Sequence, residues 1–283
     1  MRRISTRVAG VAAALAAALL LTTAAAAAPA TAPTVYIRGS ALAAAPGVCL
    51  VDGVTYVPLR AFASAMSGDA AVSWDDASKT AAVSAPGLKL RVTVGDSYLV
   101  ANGRYLYLDG SCYNRDGSTM VPVRPLARAF GAEVRWDRST MAVQVEGGGT
   151  PIESGDTYYD ADTLYWLSRI ISAEARGESL EGQIAVGNVV LNRAANDYWP
   201  ESVYDVIFDD RCGVQFSPTA NGTIYDEPTE LAVVAAKLAL DGANTAGESL
   251  FFLNEAIATS KWIVENCDYV TTIGNHSFYT TDV

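Results

Sequence analysis

The chain of 283 residues contains a single histidine, His276, and only four cysteines. Zinc hydrolases need two or three histidines or equivalent ligands, so one imidazole excludes their usual metal sites. Basic residues are also few, with 20 Lys and Arg against 31 Asp and Glu. The formal net charge of −11 argues against nucleic acid as a partner, because phosphate binding is driven by positive charge. No cofactor is expected.

The first 30 residues are typical of a secretory signal peptide. Arg2, Arg3 and Arg7 form a charged start, an Ala/Leu run follows, and small residues at 26–30 offer several cleavage sites. The alternative is an uncleaved membrane anchor, because the apolar run is long. Cleavage would remove three positive charges and no acid, which leaves a net charge of −14. We therefore expect an exported protein.

The four cysteines are an even number and fall into two pairs along the chain. Disulfides are typical of exported proteins. We predict one disulfide within each half of the chain, Cys49 with Cys112 and Cys212 with Cys267.

A glycine-rich stretch, GGGTPIESGD at 147–156, separates two regions of regular hydrophobic periodicity. Its three consecutive glycines, its proline and its polar residues are typical of a linker. The chain therefore divides into the signal peptide at 1–30, a first domain at 31–146, the linker, and a second domain at 157–283.

The first domain contains an internal repeat. The stretch VDGVTYVPLR at 51–60 aligns with RDGSTMVPVR at 115–124 at a constant offset of 64 residues. The offset falls to 62 by Trp74 and Trp136. Each copy predicts a strand, a helix after the proline, a turn, and a strand through Trp-Asp. The first domain is thus predicted to be a small α+β module.

Two further features of this module can be predicted. Between the copies, the alternation in LKLRVTV predicts a strand, and Asn102-Gly103 predicts a two-residue hairpin turn. The arginines that follow the two prolines, Arg60 and Arg124, are expected to be buried and to bind carbonyl groups of turns, with ligand binding as the alternative.

The VPLR/VPVR and Trp-Asp motifs resemble those of the copper amine oxidase N-terminal domain, over about residues 35–146. The resemblance implies a stalk or wall-associating module of exported bacterial proteins. It does not imply copper, because His276 lies outside this region and an imidazole copper site needs histidine.

The second domain is predicted to be mainly helical. Predicted helices run from Leu164 to Arg176, over 180–195, over 201–210 and over 231–241. The first has a start signal at Asp160 and a stop at Gly177. The second is apolar on nearly every side and belongs in the middle of the domain, so Asn188 and Asn192 on it must find hydrogen-bond partners or line a cleft. Short strands or a hairpin are expected near the C-terminus.

Glu174 falls on the apolar stripe of the first of these helices, with Leu167 and Ile170. A carboxylate in this position has two interpretations. It is either a structural residue paired with Arg176 or Arg193, or a general acid whose pKa is raised by burial. The pattern alone favours neither.

Three stretches resemble the catalytic domain of the SleB/CwlJ family of spore cortex-lytic and cell wall hydrolases. They are RIISAEARGESLEGQIAVGNVVLNR at 169–193, QFSPTANG at 215–222, and IATSKWI…IGNHSF within 257–278. The resemblance spans about residues 161–279. It implies a lysozyme-like helical fold that cleaves the glycan strands of peptidoglycan, with Glu174 as the essential acid. The best-studied branch of the family acts as a lytic transglycosylase.

One carboxylate suffices for a lytic transglycosylase, whereas an ordinary glycosidase needs two. Glu178 and Glu181 are therefore predicted to be capping or first-turn acids. A hydrolytic muramidase or glucosaminidase on the same fold is the alternative enzyme. The sequence does not distinguish between spore cortex and vegetative cell wall as the substrate.

Polar residues of the matched motifs are candidates for binding the glycan strand. They are Gln215, Ser217, Asn221, Tyr225, Asn275 and His276. Their amides and hydroxyls can bond N-acetyl groups and sugar hydroxyls, and the ring of Tyr225 or of Tyr279 can stack on a sugar face. Each has a structural alternative, a hydrogen bond that holds a turn or loop.

Two other functions fit parts of the sequence. A Cys/His hydrolase would use Cys267, nine residues before His276, although Cys267 is also the predicted partner of Cys212. A wall-binding protein without activity would use Glu174 only structurally.

Overall fold

The computed structural model describes residues 32–44, 46–211 and 213–281. The predicted signal peptide at 1–30 lies outside these residues. Within the described ranges no helix has the length and hydropathy that spanning a bilayer requires.

The first half consists of short strands with two helices between them. Its elements are β1 (Thr34–Ile37), β2 (Ser40–Ala41), β3 (Cys49–Val51), β4 (Val54–Pro58), α1 (Leu59–Met66), β5 (Ala71–Asp75), β6 (Thr80–Ala85), β7 (Leu88–Thr93), β8 (Tyr98–Ala101), β9 (Arg104–Tyr107), β10 (Tyr113–Arg115), β11 (Ser118–Pro122), α2 (Val123–Ala129), β12 (Ala132–Asp137) and β13 (Ala142–Gly147). The strands pair in the orders β12-β13-β1-β2, β10-β11-β4-β3 and β5-β6-β7-β8-β9.

The internal repeat produces an approximate two-fold axis. β4 pairs antiparallel with β11, and Val57 lies opposite Val121, its own counterpart at the offset of 64. When equivalent residues of two antiparallel strands face each other, a two-fold axis passes between them. Each copy then continues, as predicted, into a helix after the proline and a strand through Trp-Asp.

The aspartate of each Trp-Asp motif holds a turn. Asp75 accepts hydrogen bonds from the Ala77 amide at 3.0 Å and the Ser78 hydroxyl at 2.7 Å. Asp137 accepts the equivalent bonds from the residues two and three positions ahead. Such Asx turns explain why both copies carry this aspartate.

The predicted hairpin is confirmed. β8 and β9 pair with Ala101 opposite Arg104, and both turn residues have positive φ, 50° at Asn102 and 81° at Gly103. Left-handed backbone at both positions defines the type I′ turn, which asparagine and glycine tolerate.

The predicted burial of Arg60 and Arg124 is wrong, because both side chains are exposed. α1 buries Leu59 and Phe62, and position 60 lies off that face. The only hydrogen bond of Arg124 is a weak one to the Val134 carbonyl at 3.3 Å, and in the described part of the chain Arg60 has none.

The predicted disulfide between Cys49 and Cys112 is not formed, and both cysteines are free. The Cys49 sulfur lies 2.9 Å from the Tyr113 hydroxyl, and the Cys112 thiol donates to the Thr93 carbonyl at 2.7 Å. β3 and β10, which carry or adjoin these cysteines, are opposite edges of one sheet, with two strands between them. Burial raises the pKa of the Cys112 thiol to about 11, so it stays protonated and keeps its donor role.

The second half is mainly helical and closes with a small sheet. Its elements are α3 (Gly155–Tyr158), α4 (Ala161–Ala175), α5 (Leu180–Ala194), α6 (Val203–Ile207), α7 (Ser217–Asn221), a 3-10 turn (Thr223–Tyr225), α8 (Glu230–Leu240), β14 (Phe251–Leu253), α9 (Trp262–Asn266), β15 (Asp268–Ile273) and β16 (His276–Thr280). The strand order is β14-β16-β15. The predicted helices and the C-terminal hairpin are present, and β14 extends that hairpin into a sheet. Cys267 is a free thiol, and its predicted partner Cys212 lies outside the described residues.

α5 is the central helix of this half, as predicted. It packs against both α4 and α8 and buries Ile184, Val189 and most of its other residues. A β-carbon at Gly187 would lie 2.9 Å from the Ile171 Cδ1 atom and 3.4 Å from the Ala239 Cβ atom. The glycine therefore allows the close approach of α5 to its neighbours.

The two asparagines of α5 find hydrogen-bond partners rather than lining a cleft. The Asn188 amide donates to the Ala243 carbonyl at 2.7 Å, and its oxygen accepts from the Thr245 amide at 2.9 Å. Asn192 donates to the carbonyls of Gly247 and Ser249. These bonds fix the segment that leads into β14.

A buried ionic cluster around Asp241 joins the two halves. The Asp241 side chain, at the end of α8, is only 1% exposed. Arg104 of β9 forms an ion pair with it, Arg128 of α2 donates to it at 2.8 Å, and the Tyr159 hydroxyl donates as well. Burial, and then the bond to Asp241, raises the pKa of Tyr159, so the phenol remains a donor. The carboxylate is thus surrounded by donors from both halves.

We predict that Asp241→Asn lowers the free energy of unfolding by about 3–5 kcal/mol, because it leaves the buried Arg104 without a counter-charge. Urea denaturation measures this. The matched control is Glu146→Gln, an exposed acid in β13, which should change the value by less than about 0.5 kcal/mol. A loss below about 1 kcal/mol for Asp241→Asn would contradict the structural role of the cluster.

Candidate active site

Glu174 lies in the last turn of α4, beyond the buried residues Leu167, Ile170 and Ile171. Its side chain is half-buried. Burial raises the pKa of this carboxyl to about 7, because removal from water disfavours the charged form. Near neutral pH the group is therefore divided between acid and carboxylate, which suits a residue that both donates and accepts a proton.

The structure offers no ionic partner for Glu174 among the residues it describes. Arg176 is exposed and makes no ion pair. Arg193 is buried, donates from Nε to the Leu250 carbonyl at 2.7 Å, and stacks 4.1 Å from the centre of the Trp199 ring. Both arginines that could have neutralised Glu174 are therefore engaged elsewhere or turned to solvent.

Glu174 opens into a cleft of about 950 Å³. The walls come from the ends of α4 and α5, residues 209–217, β14 with the loop after it, and the start of β16. The aromatic lining residues are Tyr198, Trp199, Phe216, Phe251, Phe252 and Trp262. Tyr198 and Trp262 are more than half exposed, so their ring faces are available to a ligand. Aromatic walls with a few convergent polar groups are typical of a ligand site.

Three of the predicted binding residues line this cleft together with Glu174: Gln215, Ser217 and His276. Gln215 is half-buried and donates to the Gly213 carbonyl at 2.9 Å. Ser217 is the first residue of α7.

The other three candidates are not among the lining residues. The Asn221 oxygen accepts from the Thr223 amide at 2.9 Å and holds a local turn. Tyr225 is exposed, with its ring centre 6.2 Å from that of Trp166. Asn275 is bound to Glu178.

Glu178 ties the β15–β16 turn to the end of α4. Its carboxylate accepts from the Asn275 side chain at 2.8 Å and from the Asn275 amide at 3.1 Å. These bonds hold the pKa of Glu178 below its usual value. A β-carbon at Gly274 would overlap the Glu178 carboxylate, so a side chain there would displace the group that makes these bonds. The predicted capping role is thus correct for Glu181, in the first turn of α5, and wrong for Glu178, which anchors a distant turn.

The Glu178–Asn275 contact places His276 in the wall of the cleft. His276 is half-buried, and its ring centre lies 5.3 Å from that of Phe252. Its Nδ1 atom is buried and has no hydrogen-bond partner in the described part of the chain. Burial lowers the pKa of this imidazole, and the nearby Glu178 offsets part of the effect. The imidazole is therefore mainly neutral near pH 7, and its ring forms part of the cleft wall.

A second carboxylate, Asp209, also lines the cleft. Its side chain is 6% exposed, and Arg211 donates to it from Nε at 2.8 Å. This hydrogen bond holds the pKa of Asp209 below its usual value, so the group is a carboxylate at neutral pH. Asp209 was not among the residues predicted from the sequence. The only available signal was the run of charges Asp-Asp-Arg in an otherwise irregular segment.

The arrangement does not favour a Cys/His hydrolase. Cys267 is absent from the cleft lining that contains His276. Burial raises the pKa of its thiol, whereas a nucleophilic cysteine needs a lowered pKa. In addition, the described ranges contain no group of three or more His, Cys, Asp or Glu side chains that could hold a metal ion.

The chain matches two protein families. Residues 177–279 match the family described as Cell Wall Hydrolase, and residues 36–145 match the Copper amine oxidase N-terminal domain. The first match begins three residues after Glu174.

Similar proteins include two spore cortex-lytic enzymes. That of Oceanobacillus iheyensis is 36% identical over 131 residues, which is 46% of this chain and 46% of the relative. That of Bacillus subtilis is 38% identical over 112 residues, 40% of this chain and 35% of the relative. The chain thus spans less than half the length of these relatives.

A solved structure is also similar in sequence, the catalytic domain of the germination-specific lytic transglycosylase SleB from Bacillus anthracis. It is 34% identical and covers 46% of this chain and 100% of its own, with a TM-score of 0.40. These matches confirm the two resemblances that the motifs indicated. The second half of the chain thus contains a match to the cell wall hydrolase family, and the first half contains a match to the copper amine oxidase N-terminal domain.

Proposed function

We propose that this protein is an exported lytic transglycosylase that cleaves the glycan strands of peptidoglycan, with Glu174 as its single acid and base. The observation that carries the proposal is the half-buried Glu174, which lines an aromatic-walled cleft, has a pKa of about 7 and has no ionic partner among the described residues. Relatives named as spore cortex-lytic enzymes and as a lytic transglycosylase support the same reaction class. They also favour the cell wall or the spore cortex as the place of action.

In the first step the protonated Glu174 donates its proton to the glycosidic oxygen. The bond between that oxygen and C1 of the muramic acid residue breaks, and positive charge develops at C1. A carboxyl with a pKa near the working pH is suited to this transfer. The leaving sugar departs with a free hydroxyl.

In the second step the Glu174 carboxylate removes the proton from the 6-hydroxyl of the same muramic acid residue. The oxygen then bonds to C1, which gives a 1,6-anhydro sugar and restores the acid. No water is consumed, so no second carboxylate is required. Gln215, Ser217 and His276 line the same cleft and are assigned to binding N-acetyl and hydroxyl groups of the strand.

Hydrolysis is the second candidate, and Asp209 favours it. An inverting glycosidase uses one carboxyl as acid and a second carboxylate to activate water. Asp209 lies in the same cleft and is ionised. Its pairing with Arg211 opposes the role of a base, because a guanidinium held on the carboxylate makes proton uptake less favourable.

Glu174→Gln should lower the release of muropeptides from peptidoglycan sacculi by about 100-fold to 10,000-fold, because it removes the proton donor without changing the volume. Mass spectrometry of the released products measures the rate. The control is Glu181→Gln, which alters an acid in the first turn of α5 outside the cleft lining. Parental activity of a folded Glu174→Gln variant would refute the assignment.

Asp209→Asn distinguishes the two reactions. A lytic transglycosylase should keep anhydro products, one water lighter than hydrolytic products, and lose less than about tenfold in rate, since Asp209 donates no proton to the reaction. The products are identified by mass. Reducing-end products from the parental protein, together with a loss above about 100-fold in Asp209→Asn, would instead establish hydrolysis.

The pKa of Glu174 also predicts a pH-dependent stability. The folded state holds a proton on Glu174 between about 4.5 and 7, where the unfolded state has lost it, so the free energy of unfolding should fall as pH rises through this window. Glu174→Gln should match the parental stability at pH 4 and exceed it at pH 8 by on the order of 2 kcal/mol. Urea denaturation at both pH values tests this, and an equal difference at both would contradict the raised pKa.

A further inference from the structure

The first half carries two clefts that the internal repeat makes equivalent, here called the twin clefts. The smaller, of about 340 Å³, is lined by residues of α2, β12 and the β3–β4 turn. The larger, of about 740 Å³, is lined by residues of α1, β5 and the β10–β11 turn. Each cleft therefore takes its helix and strand from one copy of the repeat and its turn from the other.

Twelve of the 13 residues that line the smaller cleft have a counterpart in the larger cleft, which has six further lining residues. The matching pairs include Pro58 with Pro122, Arg60 with Arg124, Val72 with Val134, Trp74 with Trp136, Ala81 with Val143, Gly117 with Gly53, and Thr119 with Thr55. Such correspondence follows from the two-fold relation of β4 and β11. The twin clefts are thus two copies of one site.

Folding explains only some of the residues that both copies share. The prolines precede the helices, and the aspartates of the Trp-Asp motifs hold turns. The tryptophans are different, since Trp74 remains 40% exposed and Trp136 43% exposed. The arginines are exposed too, and within the described residues neither Arg60 nor Arg124 forms an ion pair. Each cleft is thus lined by a partly exposed indole and by an arginine without an ion pair, and the recurrence of this combination points to a ligand.

The charge distribution indicates the sign of that ligand. Residues 32–146 contain 11 Lys and Arg against 10 Asp and Glu, a net charge of +1. Residues 147–283 contain 6 against 21, a net charge of −15. Net repulsion of an anionic polymer is therefore much weaker at the first half than at the second. The other cations of the twin clefts, Lys79 and Arg135, form ion pairs with Asp76 and Glu133, whereas Arg60 and Arg124 form none with any described residue. One further carboxylate, Asp109, lines the smaller cleft.

The tryptophan and arginine of each cleft together favour a sugar that bears a carboxylate. An indole face packs against the apolar face of a pyranose ring, and a guanidinium binds a carboxylate through two parallel hydrogen bonds. We propose that the twin clefts bind the carboxylate-bearing glycan of peptidoglycan, with Trp74 and Trp136 against sugar rings and Arg60 and Arg124 on carboxylates. This rests on the proposed function, because the ligand is the polymer that the second half cuts. Two equivalent sites on one module bind a polymer mesh more tightly than one.

The test is co-sedimentation of the full chain with insoluble peptidoglycan sacculi, in the Glu174→Gln background so that the polymer stays intact. The double variant Trp74→Ala/Trp136→Ala should raise the apparent Kd at least tenfold, and each single variant should raise it less. Arg60→Gln/Arg124→Gln should weaken binding and reduce its salt dependence. The matched controls in the same module are Arg138→Gln and Met141→Ala, both exposed and outside the twin clefts, and they should bind as the parent does.

Two further arms identify the carboxylate. Binding to glycan strands freed of stem peptides assigns it to the lactyl group, whereas binding only to strands that keep their peptides assigns it to the peptide. Amidation of the sacculus carboxylates should weaken the binding of the parental chain to sacculi. It should leave the binding of the double arginine variant unchanged. Parental binding by both double variants, or no binding of the parent to either polymer, would overturn the proposal.

Catalysis separates this proposal from the proposed function. In the active background, the double tryptophan variant should cut short soluble glycan fragments within about twofold of the parental rate while release from intact sacculi falls about tenfold. If the parental protein cuts neither substrate but its binding to sacculi still depends on the two tryptophans, the proposed enzymatic activity is refuted. The proposed glycan binding by the twin clefts then still stands. A double variant that loses both activities equally would refute the twin clefts.

Discussion

The burial of one carboxyl without a counter-charge is the constraint on which the second half of the protein depends. A group in the position of Glu174 costs stability whenever it is ionised, so the surrounding structure must hold it in place. The close packing of α4, α5 and α8 around Gly187 provides a rigid base. Two sets of hydrogen bonds then position the cleft walls around Glu174. The asparagines of α5 fix the segment that leads into β14, and Glu178 fixes the turn before His276.

Local features of the fold were predictable because they depend on neighbours in sequence. Asp160 caps α4 by accepting from the Thr163 amide at 2.8 Å, and Asn102-Gly103 forms its hairpin, since both interactions span two or three residues. Glu174 could be singled out from the sequence for the same reason, because a charged residue that interrupts an apolar stripe is visible at helical spacing. The repeat was visible as a constant offset.

The features that were missed depend on contacts between distant segments. The spacing of Cys49 and Cys112 does not show that their strands end on opposite edges of a sheet. Asp209 enters the cleft, and Glu178 meets Asn275 across 97 positions, only once the helices have packed. Asn221 and Asn275 lie outside the cleft lining although they belong to the same motifs as residues within it, so motif membership alone does not locate a side chain.

The pairing of β4 with β11 has a consequence for any ligand of the twin clefts. A two-fold axis reverses direction, and a glycan chain has distinct reducing and non-reducing ends. One chain crossing both clefts would enter them in opposite senses and could not be held in the same way by each. Equal occupancy therefore requires two glycan chains that run in opposite directions. The module would then link two glycan strands of the mesh and would not bind two segments of one strand.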